Sequence, residues 1–208
     1  MTKKILVIGS QGSGKSTQAE LLAKELGFFF LSTGQLFRKI ARQKTSFGQE
    51  VKRLLEKGQL VPDQPTLDFV HQILRDRKNY VIEGFPRNLH QAKKFKYGFD
   101  KVFFLKIREK EALRRLSGRR VCLQCKTDFN LFTQPPKKKG ICDHCGSKLI
   151  QRHDDTEAAI RKRLEIFYQQ TNKVLDYYRQ QGIFEEIDAE RPVPTILQDI
   201  LSKIQPSV

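Results

Sequence analysis

The amino-acid sequence predicts an α/β fold in which a five-stranded parallel sheet is flanked by helices and interrupted by two insertions. Short apolar runs alternate with helical patterns along the chain, as they do in doubly wound parallel sheets. A glycine-rich turn follows the first apolar run, and two segments break the alternation. At 208 residues, the chain is long enough for one well-buried domain with excursions.

Five apolar runs are the candidate strands. They cover residues 5–8, 28–31, 80–82, 102–107 and 183–187. Each run is apolar over most of its length, which is typical of parallel strands whose two faces are both covered. We therefore expect all five to belong to one buried sheet.

Three helices are predicted from apolar positions at helical spacing. The first follows the glycine-rich turn and ends at Gly27, with an apolar face made of Ala19, Leu22, Ala23 and Leu26. The longest runs from about residue 156 to 181 and ends at Gly182, with a stripe made of Ile160, Leu164, Phe167, Val174 and Tyr178. The last is opened by Pro194 and points three isoleucines inward: Ile196, Ile200 and Ile204.

Two segments interrupt this pattern. Residues 32–63 contain helical patterns only, and residues 118–153 are rich in Cys, Pro, Lys and Gly without a long helical stripe. Both are predicted to be insertions between core elements. The predicted core domain therefore comprises residues 1–31, 64–117 and 154–208.

The glycine-rich turn has the form G-x-x-x-x-G-K-[ST] from Gly9 to Ser16, with a strand before it and a helix after it. Glycines let backbone N–H groups curl around phosphate oxygens, and the helix N-terminus adds partial positive charge. Lys15 would reach the outer phosphates, and the Ser16 hydroxyl would face a magnesium ion. The alternative is a glycine-rich turn with a chance lysine. The context favours a P-loop that holds a nucleoside triphosphate.

Charge and hydropathy limit the partners and the location. The 39 basic and 23 acidic residues give a net charge of +16, which attracts polyanions or reflects a solvated basic surface. The basic run at residues 137–139 is too short for a nucleic-acid-binding arm.

We expect no membrane span, because apolar runs fall far short of about eighteen residues. The opening "MTKKILVIG" is too short for a secretory signal, so we expect a cytoplasmic protein.

All four cysteines lie in two C-x-x-C pairs separated by sixteen residues, Cys122 with Cys125 and Cys142 with Cys145. This spacing predicts a tetrahedral four-thiolate zinc site, with iron as the other candidate metal. Disulfides and redox-active pairs are the alternatives. Disulfides do not suit a chain without a secretion signal. Redox-active pairs open a helix after a strand, and neither of these pairs does so. Four thiolates leave no open position, so the metal would fold the insertion, contributing on the order of 10 kcal/mol, rather than catalyse.

Zinc ribbons often bind nucleic acid, and the positive charge keeps that alternative open. The segment has few aromatic residues for base stacking, namely Phe129 and Phe132. A rigid flap over a nucleotide is the competing use. We do not expect nucleic acid as the main partner.

Several arginines occupy positions flanked by glycine or acidic residues, where guanidinium groups could bind phosphate oxygens in pairs. Taken singly, each is more typical of a solvated surface. Together with "GSQGSGKSTQ", "STGQLFR", "GQLVPD", "EGFPRNLHQA", "SGRRVC", the cysteine pairs, "QRHDDTE" and "RKRL", they make the whole chain resemble the adenylate kinases of the bacterial long form. The resemblance implies a P-loop NTPase-type α/β fold, with a helical monophosphate-binding insertion at 32–63 and a zinc-bearing lid at 118–153.

The resemblance also implies which residues contact the nucleotides. Those on the ATP side would be Gly12, Ser13, Gly14, Lys15, Ser16, Thr17, Arg119, Asp128, Phe129 and Arg191. Those on the AMP side would be Thr33, Arg38, Gln59, Leu60, Val61, Gly84, Phe85, Pro86, Arg87, Gln91, Arg152 and Arg163. The catalytic cations would be Lys15, Arg38, Arg87, Arg119, Arg152 and Arg163.

The implied reaction is ATP + AMP ⇌ 2 ADP, with Mg²⁺ carried by ATP. The attacking oxygen of AMP is already an anion, so catalysis requires positioning and charge cancellation rather than a strong base. A kinase for GMP, UMP or CMP is the second hypothesis, and an ATP-switched nucleic-acid binder is the third. We expect a monomer that binds ATP, AMP and ADP.

Five positions depart from the family pattern. Gln11 stands where the family usually has proline, Ser16 where it has glycine, and Asp128 where it has threonine. Gln35 and Glu83 both stand where the family has aspartate. The departures bear on magnesium placement, reaction rate and the choice of nucleotide.

Overall fold

The computed structural model of the chain describes residues 3–152 and 155–204. In chain order the strands are β1 (Lys4–Gly9), β2 (Phe29–Ser32), β3 (Tyr80–Glu83), β4 (Lys101–Lys106), β5 (Arg119–Cys122), β6 (Asp128–Asn130), β7 (Leu149–Ile150) and β8 (Phe184–Asp188). The α-helices are α1 (Lys15–Leu26), α2 (Thr33–Ile40), α3 (Ser46–Glu56), α4 (Asp63–Leu74), α5 (Leu89–Lys94), α6 (Glu109–Ser117), α7 (Glu157–Ile166), α8 (Asn172–Arg179) and α9 (Val193–Ser202).

The main sheet has five strands in the order β2-β3-β1-β4-β8, and every neighbouring pair is parallel. The predicted five-stranded parallel sheet is therefore confirmed, with strand boundaries within about two residues of the prediction. The central strand β1 carries the glycine-rich turn at its carboxyl end. This places the turn at the edge of the sheet where parallel α/β folds bind ligands.

Both faces of the sheet are covered, which explains why β1 is apolar throughout. Ile5 and Val7 face a cluster formed with α1 and α9, while Leu6 and Ile8 face a cluster formed with α4, α5 and α8. Alternate side chains of a strand point to opposite faces, so burial on both sides removes the polar alternation.

The predicted helices are present, with one difference in the longest. The α1 helix ends at Gly27, whose φ of 65° is readily adopted by glycine. The helix predicted at 156–181 contains a π-helical turn at Phe167–Thr171 between α7 and α8. The wide turn brings the Thr171 hydroxyl to the Arg87 carbonyl, to which it donates at 2.8 Å. A local apolar stripe does not reveal such a contact.

The last helix begins at Val193, one residue before the predicted Pro194. Ile196 and Ile200 are buried in it as predicted, and Ile204 is buried just beyond its end. Among residues 3–152 and 155–204, we find no helix that combines the length and the apolar character needed to cross a bilayer.

The two predicted insertions have different architectures. Within 32–63 the structure contains α2 and α3, which bury Phe37, Ile40, Val51 and Val61 in a cluster of their own. Within 118–152, β5, β6 and β7 form an antiparallel sheet in the order β6-β5-β7. The predicted boundary between the second insertion and the core, at residues 153 and 154, lies outside the described residues.

Candidate active site

The glycine-rich turn between β1 and α1 has a backbone that only glycine adopts easily. Gly12 and Gly14 have φ angles of 84° and 82°. A Cβ atom on Gly12 would also lie 2.6 Å from the carbonyl oxygen of Ala112. The turn is therefore fixed both by its own dihedral angles and by close packing against α6.

The turn and the start of α1 supply groups suited to an anion. Among the described residues, the buried Ser13 Oγ, which can donate a hydrogen bond, has no partner. Lys15 Nζ donates to the Ser10 carbonyl at a long 3.4 Å. Since α1 begins directly after the turn, its first N–H groups add partial positive charge. These features fit phosphate oxygens.

A first cavity, the donor cavity, opens over the turn between α6, the small sheet and the start of α9. Its lining includes every residue predicted for the ATP side: Gly12, Ser13, Gly14, Lys15, Ser16, Thr17, Arg119, Asp128, Phe129 and Arg191. Phe129 is only 5% exposed, because its ring packs with Cys122, Cys142 and Leu149. It therefore contributes to the core of the small sheet as well as to the cavity wall.

A second cavity, the acceptor cavity, lies between α2, α3 and the carboxyl end of β3. Ten of the twelve residues predicted for the AMP side line it: Thr33, Arg38, Gln59, Leu60, Val61, Gly84, Arg87, Gln91, Arg152 and Arg163. Phe85 and Pro86 are buried and do not line it. The Phe85 ring packs edge-to-face on Phe95 with centroids 5.3 Å apart, so this part of "EGFPR" anchors the segment in the core.

The two cavities meet at a small group of polar side chains. Those that line both are Lys15, Ser16, Arg119 and Arg152. Three of the four carry cationic groups, and they come from the glycine-rich turn and from both ends of the 118–152 segment. A phosphoryl group located between the cavities would therefore face positive charge from more than one direction.

The lysine of the turn is strongly affected by these surroundings. The pKa of Lys15 is lowered to about 7: burial is the largest cause, Glu83 opposes the shift, and the neighbouring arginines add to it. Removing water from an ammonium group disfavours its charged form. A bound phosphate would restore the charge that burial opposes.

Glu83 forms a buried hydrogen-bonded centre at the end of β3. It accepts hydrogen bonds from Ser32 Oγ and, at 3.0 Å, from Ser16 Oγ. Burial alone would raise the pKa of Glu83, but Lys15, the two hydroxyls and Arg87 outweigh it and hold the pKa below its usual value. Ser16 and Glu83, two of the departures from the family pattern, are thus in direct contact. The longer glutamate accepts a hydrogen bond from a hydroxyl that glycine would not provide.

Three arginines of the site form ion pairs with aspartates. Asp155, whose side chain is fully buried, accepts from Arg119 Nε at 2.7 Å and from Arg163 at 3.4 Å. Asp128 accepts two contacts from Arg152, at 2.6 and 2.7 Å. The side chains of Arg119, Arg152 and Arg163 are only 20%, 12% and 11% exposed. They are not ordinary surface arginines.

On one side of the acceptor cavity, the end of α3 and the residues after it contact α7. Arg163 donates to the Leu55 carbonyl at 3.0 Å. A Cβ atom on Gly58, whose φ is 68°, would lie 2.5 Å from the Ala159 carbonyl oxygen. These contacts hold the helical insertion against the long helix, which narrows access to the cavity.

The four cysteines converge in the small sheet. Their sulfur atoms all lie within 4.8 Å of one another, with Cys122–Cys145 and Cys125–Cys142 separations of 3.4 Å. Four sulfur donors at these distances fit a tetrahedral metal ion. The donor set therefore agrees with a closed zinc centre more than 100 residues along the chain from the glycine-rich turn.

Two polar residues of the site, Asp63 and Asp155, were not among the predicted site residues. Asp155 orients Arg119 and Arg163, and Asp63 binds Gln91, yet both stand near helix starts, where a carboxylate is common. Their partners are 36, 8 and 28 residues away in the chain. A search for local motifs cannot find such pairs.

Known proteins resemble this chain along most of its length. A family model described as adenylate kinase matches residues 7–183. The adenylate kinase of Acidothermus cellulolyticus is 40% identical over 203 residues, which cover 93% of this chain and 94% of that protein. Those of Methanocella arvoryzae and Caldicellulosiruptor saccharolyticus are 35% and 33% identical, each covering 97% of this chain and 98% of the relative.

Proposed function

The chain belongs to the adenylate kinase family, and we propose that it transfers the γ-phosphoryl group of ATP to AMP at the point where its two cavities meet. The reaction is reversible and gives two ADP. The observation that carries the assignment of the site is the set of side chains common to both cavities, Lys15, Ser16, Arg119 and Arg152. A single-nucleotide binder does not need two cavities that join at cations.

The proposed mechanism relies on position and charge. ATP would lie in the donor cavity with its phosphates on the glycine-rich turn, and AMP would lie in the acceptor cavity with its phosphate near Arg38 and Arg87. The AMP oxygen attacks the γ-phosphorus and the ADP oxygen leaves from the opposite side, so no proton needs to be removed by a strong base. Lys15 and the arginines neutralise the charge that moves between the two nucleotides.

The aspartates that hold the arginines keep these cations in place before substrate arrives. A preorganised guanidinium group needs little reorganisation when a phosphate replaces or joins its carboxylate partner. Asp155 would position Arg119 and Arg163 in this way, and Asp128 would position Arg152. The helical insertion and the small sheet then cover the two nucleotides and exclude water that would hydrolyse ATP.

Magnesium is expected with ATP, and the residues near the phosphates fit it. The Glu83 carboxylate and the Ser16 hydroxyl supply oxygen donors, which Mg²⁺ prefers, in direct contact with each other. When bound, the ion would neutralise charge on the β- and γ-phosphates. Ser16 and Glu83 would hold it, and Gln35, exposed on α2, would contribute no charge.

The four thiolates are proposed to hold structural Zn²⁺ and so to fix the small sheet as a lid over ATP. A colourless metal-loaded protein would agree with zinc, whereas colour would indicate iron. We further propose a monomer in the cytoplasm. Both cavities are lined by one chain, and reduced thiols suited to metal binding persist in that compartment.

The direct test is to mix purified protein with Mg-ATP and each of AMP, GMP, UMP and CMP, and to follow ADP formation. Fast turnover of AMP alone supports the assignment. Equal or better turnover of another monophosphate would make the chain a kinase for that nucleotide. Salt-dependent RNA or DNA binding without ADP formation would support the nucleic-acid alternative.

A further inference from the structure

Gln91 is buried beside the acceptor cavity, and its carboxamide is bound at both ends. Its Nε2 donates to Asp63 Oδ1 at 2.7 Å, and its Oε1 accepts from the Arg87 backbone N–H at 2.8 Å. The residue is only 1% exposed and lines the cavity. One N–H and one lone pair of the carboxamide remain for a ligand.

Asp63 is the centre of a larger network at the start of α4. The same Oδ1 atom accepts from Asn88 Nδ2 at 2.8 Å, and Oδ2 lies 3.0 Å from His90 Nδ1. Asn88 also caps α5 by accepting from the Gln91 backbone N–H at 2.9 Å. Asp63 therefore connects the first residues of α4 to the helix that carries Gln91.

The two partners of the carboxamide fix which way round it lies. A carboxylate can only accept hydrogen bonds, and a backbone N–H can only donate them. A reversed carboxamide would place its oxygen against the Asp63 charge and its NH₂ against the Arg87 N–H. Both contacts would be repulsive, and the contact with the charged, half-buried Asp63 carboxylate would be the stronger of the two.

We propose that Asp63 is a specificity-determining residue that selects adenine by preventing reversal of the Gln91 carboxamide. This inference rests on the proposed function, which places AMP in the acceptor cavity, and it takes Gln91, which lines that cavity, as the side chain that faces the base. Adenine presents an amino donor beside a ring-nitrogen acceptor, whereas a 6-oxopurine presents a carbonyl acceptor beside a ring N–H donor. A freely reversing carboxamide matches both patterns, but a fixed one matches a single pattern.

The test compares AMP with IMP as acceptors, because the two differ at this edge of the base alone. Asp63→Asn keeps the size of the side chain but can donate as well as accept, so the reversed carboxamide gains a partner. We expect the ratio of kcat/KM for AMP to that for IMP to fall by about tenfold or more. The KM for ATP should not change, because Asp63 does not line the donor cavity.

Asp68→Asn is the matched control, since Asp68 lies on the same helix and accepts from exposed Gln64 at 2.8 Å. It should leave the ratio unchanged. A purely structural role for Asp63 would lower AMP and IMP turnover by the same factor, and that result, or an unchanged ratio, would overturn the proposal. If thermal melting shows that Asp63→Asn does not fold, Asp63→Ser, whose hydroxyl also donates or accepts, is judged by the same ratio.

The wild-type protein separates this inference from the proposed function. Absence of ADP formation from ATP and AMP by the wild-type protein would contradict the proposed function itself. Normal wild-type activity combined with an unaltered ratio in the Asp63 variant would contradict only the role of Asp63.

Discussion

The donor and acceptor cavities share their phosphate ends but have walls of different construction. At the junction, the same lysine and arginines line both. Away from it, the acceptor wall consists of two helices with an apolar cluster, in which Phe69 packs against Phe37 and Phe47 at centroid distances of 6.4 and 6.0 Å. The donor wall is a three-stranded sheet whose buried cluster includes two of the metal-site cysteines.

The difference indicates that the two walls around one junction of cavities are stabilised in unrelated ways. The acceptor wall depends on apolar burial, worth roughly 25 cal/mol per Å² of buried surface. The small sheet buries few apolar side chains, so the proposed metal centre would supply the energy that stabilises it. Substitutions at the junction should alter the kinetics with both ATP and AMP, whereas a substitution in one wall should alter the kinetics with one of them.

The largest effect is expected at the junction. Lys15→Ala should lower kcat/KM by about 10³-fold or more, because it removes a cation that we propose contacts the transferring group. Kinetics with each substrate varied in turn would show the loss for both, and thermal melting should change little. Lys24→Ala, at the exposed end of the same helix, is the control. Substantial residual phosphoryl transfer by Lys15→Ala would contradict the proposed contact between Lys15 and the transferring group.

Metal removal should affect the donor wall and leave the acceptor wall unchanged. Chelation is expected to loosen residues 119–150, to lower the melting temperature and to reduce turnover by about 10²-fold, since misplaced catalytic groups cost about that much. Hydrogen exchange should rise in the small sheet and remain slow in α2, α3 and the main sheet. Identical calorimetric traces for metal-free and metal-bound protein would rule out a structural metal.

A change in the acceptor wall should act on AMP alone. Arg38 lines the acceptor cavity and not the donor cavity. Arg38→Ala should lower kcat/KM for AMP by about 30-fold, as expected for a lost charge-assisted phosphate contact, while the ATP affinity stays unchanged. Lys39→Ala, its exposed neighbour on α2, serves as control. An equal loss for ATP would show that the two walls are not independent.

The contact between Ser16 and Glu83 offers a finer test of the junction. Ser16→Gly removes the hydroxyl that donates to Glu83 at 3.0 Å, and we expect the Mg²⁺ concentration needed for half-maximal ATP binding to rise about fivefold. Glu83→Asp should shift it similarly, and the double variant should be less than additive because the two groups interact. Full additivity would mean that the pair does not act as a unit.

The smallest expected effect is the uptake of a proton by Lys15 when ATP binds. Because burial lowers the pKa of Lys15 to about 7, the side chain is mostly neutral at pH 8 and mostly charged at pH 5.5. A bound phosphate favours the charged form, so ATP binding at pH 8 should take up as much as one proton, and at pH 5.5 Lys15 should take up almost none. Calorimetry in two buffers of different ionisation enthalpy measures this uptake, and Lys15→Ala should lack it. Identical heats in both buffers at pH 8 would contradict a lowered pKa.

Much of the fold follows from local patterns. Two strands were predicted from the apolar runs at residues 5–8 and 80–82, and the end of α1 was predicted from Gly27. These signals depend on the pattern and the backbone preferences of neighbouring residues only. The π-helical turn was not predictable in this way. It accompanies a bond from Thr171 to Arg87, 84 residues apart.

The sequence by itself determined the strand segments of the main sheet, the glycine-rich turn and the four-cysteine set, because each depends on residues close together in the chain. Only the tertiary structure decided which side chains meet at the junction. The pairs Ser16–Glu83 and Arg119–Asp155, and the carboxamide contact of Asp63, join residues 67, 36 and 28 positions apart. Such pairs are selected by the packing of whole elements and by the cost of leaving a buried charge without a partner, and neither is encoded in any short stretch of residues.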